Sequence, residues 1–175
     1  MEPERIVTIS DFATFLRRLS EGAASYPGTL EEYLGGVLHV VSAHASAVPS
    51  TRLIAQALAD GFTVAPMPFD PAWLAFTNPP DLITKPHANS MRPFEAVLHM
   101  LRYQIADLRR MAETGAMENK YRYLGIQSST GHSWYNFDPQ TFLESASYGL
   151  SDSQEPADLT WDDLVVILWL GQIYE

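Results

Sequence analysis

The sequence of 175 residues predicts an α+β fold that is mostly α-helical, with about six helices and one β-hairpin. Apolar residues recur at intervals of three and four in several segments that begin at capping residues, which is typical of amphipathic helices. Residues 121–136 hold two aromatic and β-branched runs around a short polar loop, which is a hairpin pattern. Seven prolines between Pro66 and Pro93 exclude a long helix or a central strand from that connector.

The first three helices are predicted from their caps. Ser10 is expected to cap a helix that stops at Gly22. The segment Thr29–Glu32 has the capping-box pattern, in which the Thr hydroxyl and the Glu carboxylate each accept from a free amide of the first turn. The third helix follows Ser50 and ends at Gly61. These signals place three consecutive helices in segment 1–65.

The proline-rich connector is expected to pack on the body of the protein, because it contains Trp73 and other large apolar residues. One helical turn is predicted within it, at 71–75. The longest apolar stripe begins at Phe94 and runs to Met111, with Gly115 as the stop signal. This stretch predicts the clearest helix of the chain.

The hairpin is predicted at about 121–136, with residues 128–131 as its loop. Asp138-Pro139 then places a cap before a proline at the first helical position, so a helix is expected from there to about Gly149. Thr160 begins a capping-box-like start for the last helix, which is predicted to run through Leu170.

The chain is predicted to form a single domain over residues 1–175, and an arrangement of two lobes, 1–65 and 94–175, joined by connector 66–93 stays open. Several signals repeat along the chain at a nearly constant spacing. This spacing separates the predicted caps Thr29 and Asp138, the caps Ser50 and Thr160, and the stop signals Gly61 and Gly171. Segments 16–19 and 108–111 also resemble each other. These repeats are compatible with a degenerate internal duplication, in which the second half of the chain is a copy of the first, and this alternative stays open.

The negative charge of the protein is concentrated near its C-terminus. The net charge is −10, and segment 123–175 contains eight carboxylates and no Lys or Arg. Such a segment repels nucleic-acid phosphates and anionic membranes and favours a cationic partner. Arg102, Arg109 and Arg110 are expected to supply its counter-charge within the molecule.

No catalytic, cofactor-binding or metal-ligating residue is predicted. The chain has no cysteine, and neither its five histidines nor its glycines have the spacing of a metal site or a phosphate-binding loop. Gly131-His132-Ser133 resembles part of a nucleophile elbow, but Tyr135 replaces the last glycine, so a hairpin serine is the preferred interpretation. Asp162 and Asp163 are expected to stabilise a helix start rather than to act as catalytic acids.

The sequence also favours a cytoplasmic protein that does not enter a membrane. The longest apolar run, 164–170, has seven residues, whereas a membrane-spanning helix needs about 20. The acidic N-terminal residues are not followed by an apolar run, so no secretory signal is expected.

Four short motifs occur in the C-terminal part: Trp134-Tyr135-Asn136, Phe142-Leu143-Glu144, Thr160-Trp161 and Tyr174-Glu175. Together they resemble an uncharacterised bacterial family of small acidic proteins with W-x-N, F-L-E, S/T-W and closing Y-E motifs. The start of the chain, residues 10–16, resembles the start of such proteins. The family is a domain of unknown function, so the resemblance implies no activity, cofactor or site residue.

The hypothesis that follows is a non-enzymatic protein-interaction module, immunity-like or regulatory, which binds a basic protein. Its predicted partner-binding residues are aromatic or acidic: Trp134, Tyr135, Asp152, Glu155, Asp158, Trp161, Asp162 and Tyr174. The aromatic residues are also expected as core or rim of the fold, and that interpretation stays open. Two other functions remain as alternatives: a homodimeric structural subunit with an aromatic seam, and an enzyme of unrecognised type that uses His132 or Tyr135 in a cleft between lobes.

Overall fold

In the computed structural model, residues 5–84, 91–118, 125–150 and 153–174 are described. Seven α-helices and one two-stranded antiparallel hairpin lie in these ranges, which confirms the mostly α-helical α+β class. The elements, in chain order, are α1 Ile9–Ala23, α2 Leu30–Ser42, α3 Thr51–Asp60, α4 Asp81–Thr84, α5 Pro93–Glu113, β1 Ile126–Gln127, β2 Ser133–Trp134, α6 Pro139–Leu150 and α7 Trp161–Ile173.

Local capping chemistry sets most helix starts, and three of the starts are full capping boxes. In α2 the hydroxyl of Thr29 accepts from the amide of Glu32, and in α7 Thr160 and Asp163 exchange bonds in the same way. Ser50 caps α3, and Asp138 accepts from the amide of Thr141 at the start of α6. These caps confirm the sequence predictions.

The start of α1 differs from the prediction. Thr8, rather than Ser10, is the N-cap, because its hydroxyl accepts from the amide of Asp11 and the Asp11 carboxylate accepts from the amide of Thr8. A complete capping box satisfies two free amides, whereas a cap at Ser10 would satisfy one. The earlier start brings Ile9 and Ser10 into the helix.

The connector and the hairpin are both ordered where the structure describes them. Pro71–Ala75 forms the expected helical turn, a 3₁₀ helix that Asp70 caps. The hairpin pairs Ile126 with Trp134 and Gln127 with Ser133. Its strands are shorter than predicted, and residues 121–124 of the predicted hairpin lie outside the described residues. The N-terminal strand of the prediction is therefore tested only from Gly125 onward.

The helices pack in a reciprocal pattern. α1 packs on α6 and α5 packs on α2; α2 contacts α3 as α6 contacts α7; and α1 contacts α3 as α5 contacts α7. The two contacts of each pair are equivalent if α1 is matched with α5, α2 with α6 and α3 with α7. The contact of α1 with α6, for example, then corresponds to the contact of α5 with α2. The main helix contacts thus have the pattern that the internal duplication requires.

Two glycine contacts follow the same correspondence. A Cβ on Gly61 would lie 2.9 Å from the Tyr33 ring, and a Cβ on Gly171 would lie 2.6 Å from the Phe142 ring. Tyr33 and Phe142 are separated in sequence by the same interval as the caps Thr29 and Asp138. The two halves of the fold are α1–α3 and α5–α7. In each half, an aromatic ring of the second helix (α2 or α6) packs against a glycine at or near the end of the third (α3 or α7). One hydrophobic core contains both rings and extends from α1 to α7.

Candidate functional site

The predicted partner-binding residues lie at the two ends of α7 and do not form one surface. Glu155, Asp158, Trp161 and Asp162 lie in or just before its first turn, while the hairpin residues Trp134 and Tyr135 and the cap residue Tyr174 lie at its other end. With 13 residues, α7 separates the two groups by about 18 Å. Asp152, the eighth predicted residue, lies outside the described residues.

Trp134 is a core residue. Its side chain is fully buried, and its indole N–H donates to Oδ2 of Asp107 at 2.9 Å. Asp107 is also fully buried; its Oδ1 accepts from the hydroxyl of Thr130 at 3.1 Å and lies 3.3 Å from the guanidinium of Arg110. The carboxylate therefore has a donor or a counter-charge at each oxygen, as a buried charge requires. Trp134 is not available to a partner.

Arg110 extends this network to the connector. Its guanidinium donates to the carbonyls of Leu74 at 3.1 Å and Phe76 at 2.9 Å. Arg109 pairs with Glu31 on α2 and stacks over the Phe69 ring at 4.2 Å. The prediction that these two arginines neutralise the acidic C-terminal segment is wrong. The last turns of α5 face α2 and the connector, so the guanidinium groups meet different acids.

The other hairpin motif residue, Asn136, closes the C-terminal end of α7. Its amide donates to the carbonyls of Gly171 at 2.8 Å and Tyr174 at 3.1 Å. The side chain of Gln172 donates to the carbonyl of Ser133 at 3.2 Å, and its backbone carbonyl accepts from the amide of Tyr135 at 3.1 Å. The W-x-N sequence thus anchors the hairpin to α5 through the Trp and to α7 through the Asn. Tyr135 is half-buried and Tyr174 is exposed.

His132 and Ser133 do not form a nucleophile with its base. His132 lies with Nε2 3.3 Å from Oδ1 of Asn78, and its ring packs on Tyr103 and Trp169. His99 approaches the carbonyl of the same Asn78 at 2.8 Å. The two histidines hold the connector against α5 and the hairpin. This arrangement agrees with the preferred interpretation of Ser133 as a hairpin residue.

The N-terminal end of α7 borders an open surface groove with a volume of about 850 Å³. Three segments line it: the α2–α3 loop at 45–49, the start of α5 at 92–95 with Leu98, and residues 160–162. Its floor is largely apolar. The rings of Phe94 and Trp161 meet edge to face, with centroids 5.4 Å apart. Val48, which is 86% exposed, also lines the groove.

Asp162 is the acidic group of this groove that lacks compensation. Its Oδ1 is buried and has no hydrogen-bond partner. Burial, and to a lesser degree the neighbouring charge of Asp163, raises the pKa of Asp162 above its ordinary value. Asp163 is the third residue of the helix and is used in the capping box with Thr160. The second acid of the groove, Glu95, pairs with Arg92.

Glu155 and Asp158 are exposed in the loop that leads into α7. The backbone of this loop is tied to the chain before and within α1, because the amide of Ile9 donates to the carbonyl of Glu155 and the amide of Ala157 to the carbonyl of Val7. Three ion pairs join described residues, namely Arg92–Glu95, Arg109–Glu31 and Arg110–Asp107. None of them includes a carboxylate of the C-terminal segment.

Comparisons with known proteins supply no relative from which a function could be transferred. No family model, curated protein or solved structure matches the chain. The resemblance to the family of small acidic proteins therefore stays a prediction.

Neither a metal site nor a membrane span is found in the described ranges. No three carboxylate or imidazole side chains there are grouped so as to hold a metal ion. In the same ranges, no helix combines the length and the apolar character that crossing a bilayer requires.

Sequence reasoning missed the Asp107 network and the groove. Asp107 continues a second buried row of α5 after Met100, Tyr103 and Gln104, so the spacing of that row was the available signal. The groove combines three segments that are distant in sequence. No local pattern predicts that they meet.

Proposed function

We propose that this protein is a non-enzymatic interaction module, immunity-like or regulatory, which binds a basic protein partner at the N-terminal end of α7. The observation that carries the proposal is the pairing of Asp162, whose carboxylate has one oxygen without a donor, with an open apolar groove. The exposed acids Glu155 and Asp158 lie in the adjoining loop. A cytoplasmic location is part of the same proposal.

Electrostatics gives this end of the molecule its selectivity. The C-terminal segment supplies acids, and no ion pair among the described residues neutralises them. Charges at the rim of an interface mainly accelerate association and reject partners of like charge, while an apolar centre supplies most of the affinity. The groove with its acidic rim offers both elements to a cationic protein surface.

The two alternatives have less support in the geometry. An enzyme built on His132 or Tyr135 needs these residues in a cleft with acids, but both lie at the hairpin end of α7, away from the groove. A homodimeric seam of aromatic residues would have to use Tyr135 and Tyr174 without Trp134, which is buried. The acidic end is therefore the surface to test first.

The test is capture of proteins from a cell extract by the tagged full-length chain, across a salt series from about 0.05 to about 0.5 M. The variant Glu155→Gln/Asp158→Asn removes two charges near the groove. The variant Glu113→Gln/Glu118→Gln removes the same charge from exposed positions at and after the C-terminal end of α5 and is the matched control.

We expect a basic protein that is lost at high salt and is captured poorly by the first variant, but normally by the control. A partner that is retained at every salt concentration, or that both variants bind equally, contradicts the proposal. So does an acidic partner.

A further inference from the structure

The geometry points to a mode of binding: the groove receives an extended segment of the partner, which pairs its backbone with the α2–α3 loop and brings apolar side chains and one cation. This inference rests on the proposed function, since it assigns the chemistry of the partner at the same site. Its structural basis is the reciprocal packing of α1 on α6 and of α5 on α2.

One half of the molecule already contains such a segment. Before α1, Thr8 forms a β-bridge with Pro156; the amide of Ala157 donates to the carbonyl of Val7 at 2.8 Å, and the amide of Ile9 to the carbonyl of Glu155 at 2.9 Å. An extended stretch of this chain is thus laid against the α6–α7 loop. Thr51, in the first turn of α3, fastens the same loop through the amide of Leu159 at 3.1 Å.

The groove occupies the corresponding place in the other half. With the offset that matches Ser50 with Thr160, loop 45–48 corresponds to loop 155–158, and Trp161 corresponds to Thr51. Both counterparts line the groove. In the described part of the chain, however, the non-helical backbone bonds of loop 45–48 stay local, with the amide of Ala47 donating to the carbonyl of His44 at 2.9 Å.

The reason for this difference is the length of α5. With the offset that matches segment 16–19 with segment 108–111, Thr8 corresponds to Met100, yet α5 begins earlier in the chain, at Pro93. The residues that would form the extended stretch are helical instead. The α2–α3 loop therefore borders a groove where its counterpart borders a paired segment. An extended segment of the partner would lie in this groove and pair with backbone groups of the loop other than the Ala47 amide, which is already bonded to the carbonyl of His44.

The residues that line the groove indicate which side chains the partner segment carries. Val48, Phe94, Leu98 and Trp161 accept apolar groups. Glu95 is already paired with Arg92, so the carboxylate left for a cation is that of Asp162, which is half-buried, lines the groove and is in none of the ion pairs between described residues. A partner segment of about five residues would be about 17 Å long when extended. We infer β-branched or aromatic residues next to one Lys or Arg.

The test selects peptides from a phage-displayed library of random sequences of about twelve residues, with the full-length protein as bait. Two bait variants probe the groove: Val48→Arg blocks its wall with a cation, and Asp162→Asn removes its uncompensated charge. Val166→Arg is the matched control, because Val166 is also an exposed valine, 39% exposed, on α7 outside the groove. Glu113→Gln, an exposed position at the end of α5 outside the groove, is the charge control.

The expected selection is for cationic peptides rich in β-branched or aromatic residues. Their affinity should fall by at least about tenfold with Val48→Arg, as for a central contact of an interface, and severalfold with Asp162→Asn. The two controls should bind as the parent does. Bound peptide should also slow amide hydrogen exchange at 45–48, which side-chain contact alone would not do.

Other outcomes overturn the inference. It fails if no peptide is enriched in a Val48-dependent manner, if the enriched peptides are acidic, or if exchange at 45–48 is unchanged. Sedimentation that shows a dimer of the parent and a monomer of Val48→Arg would assign the groove to a second copy and also reject it. The proposed function has a separate readout, because a basic partner whose capture depends on Glu155 and Asp158 but not on Val48 would uphold it without this mode of binding.

Discussion

The indole N–H of Trp134 donates a 2.9 Å hydrogen bond to Oδ2 of Asp107, and both side chains are fully buried. This bond joins the hairpin to the C-terminal half of the longest described helix. A buried carboxylate that loses a donor keeps the full cost of its removal from water. The indole N–H is therefore one of the groups on which the stability of the hairpin end depends, beside the amide of Asn136.

Replacing Trp134 with Phe should lower the free energy of unfolding by about 1–3 kcal/mol, because the ring is largely retained while Oδ2 of Asp107 is left without its donor. Urea denaturation measures the change. Trp169→Phe is the control, since that indole is only half-buried and packs on His132. Equal losses in the two variants would show that the bond to Asp107 contributes little.

Replacing Arg110 with Met should cost about 3 kcal/mol, because Asp107 stays buried without its counter-charge and the carbonyls of Leu74 and Phe76 lose their donor. Limited proteolysis should then cut the connector near residues 71–77. The double variant Asp107→Asn/Arg110→Met should lose less than the sum of the single changes, which a double-mutant cycle measures. Additive losses would mean that the two groups act independently.

The glycines of the two halves should respond alike to an added methyl group. Gly61→Ala and Gly171→Ala should each destabilise the protein by about 1–3 kcal/mol, because the new Cβ would overlap the ring of Tyr33 or Phe142. Gly22→Ala, in α1 with nothing within 4 Å of the new Cβ, should stabilise it by about 0.5–1 kcal/mol. Thermal or urea unfolding distinguishes the two directions. A neutral Gly171→Ala would argue against close packing at this contact.

Two acids in helix first turns should affect the pH dependence of stability in opposite directions. Hydrogen bonds from the backbone amides of Thr8 and Val7, and from the Thr8 hydroxyl, lower the pKa of Asp11 below 3.8. Its contribution is therefore present above the ordinary pKa and lost as the pH falls through the folded-state pKa. Burial raises the pKa of Asp162, so its favourable contribution is present below the ordinary pKa and lost as the pH rises through the folded-state pKa.

Urea unfolding of the parent, Asp11→Asn and Asp162→Asn between about pH 2.5 and about pH 7 tests this pair. As the pH rises, Asp11→Asn should become less stable relative to the parent, while Asp162→Asn should gain relative to it. Each variant is the control for the other, because both remove one carboxylate from the start of a helix. Parallel curves would contradict the opposite signs of the two pKa shifts.

The parts of the fold that the sequence predicted are those that local chemistry decides. The caps at Thr29, Ser50, Asp138 and Thr160 are in place because each needs only a side-chain oxygen and the amide three residues further along the chain. The predicted start of α1 is wrong because the prediction uses Ser10 as the cap, whereas the acid at position 11 completes a capping box with Thr8.

The candidate site was less predictable, because its chemistry depends on which elements meet. The charge count identified the acidic segment. It could not show that Asp162 and Tyr174 lie at opposite ends of α7. The partners of Arg109 and Arg110 follow from the faces of α5, which pack on α2 and on the connector. The residues of the groove come from three segments, and only the assembled fold brings them together.

The reciprocal packing of α1 on α6 and of α5 on α2 has a consequence for how the polypeptide can be divided. The first helix of each half packs on the second helix of the other half, α1 on α6 and α5 on α2. A fragment that contains one half alone would therefore expose the apolar stripes of these helices to water. Two fragments divided within the connector, before α5, should each aggregate or stay unfolded when separate and should reconstitute the native protein when mixed. In this packing the two halves, α1–α3 and α5–α7, are arranged like the two subunits of an intertwined dimer that a single chain connects.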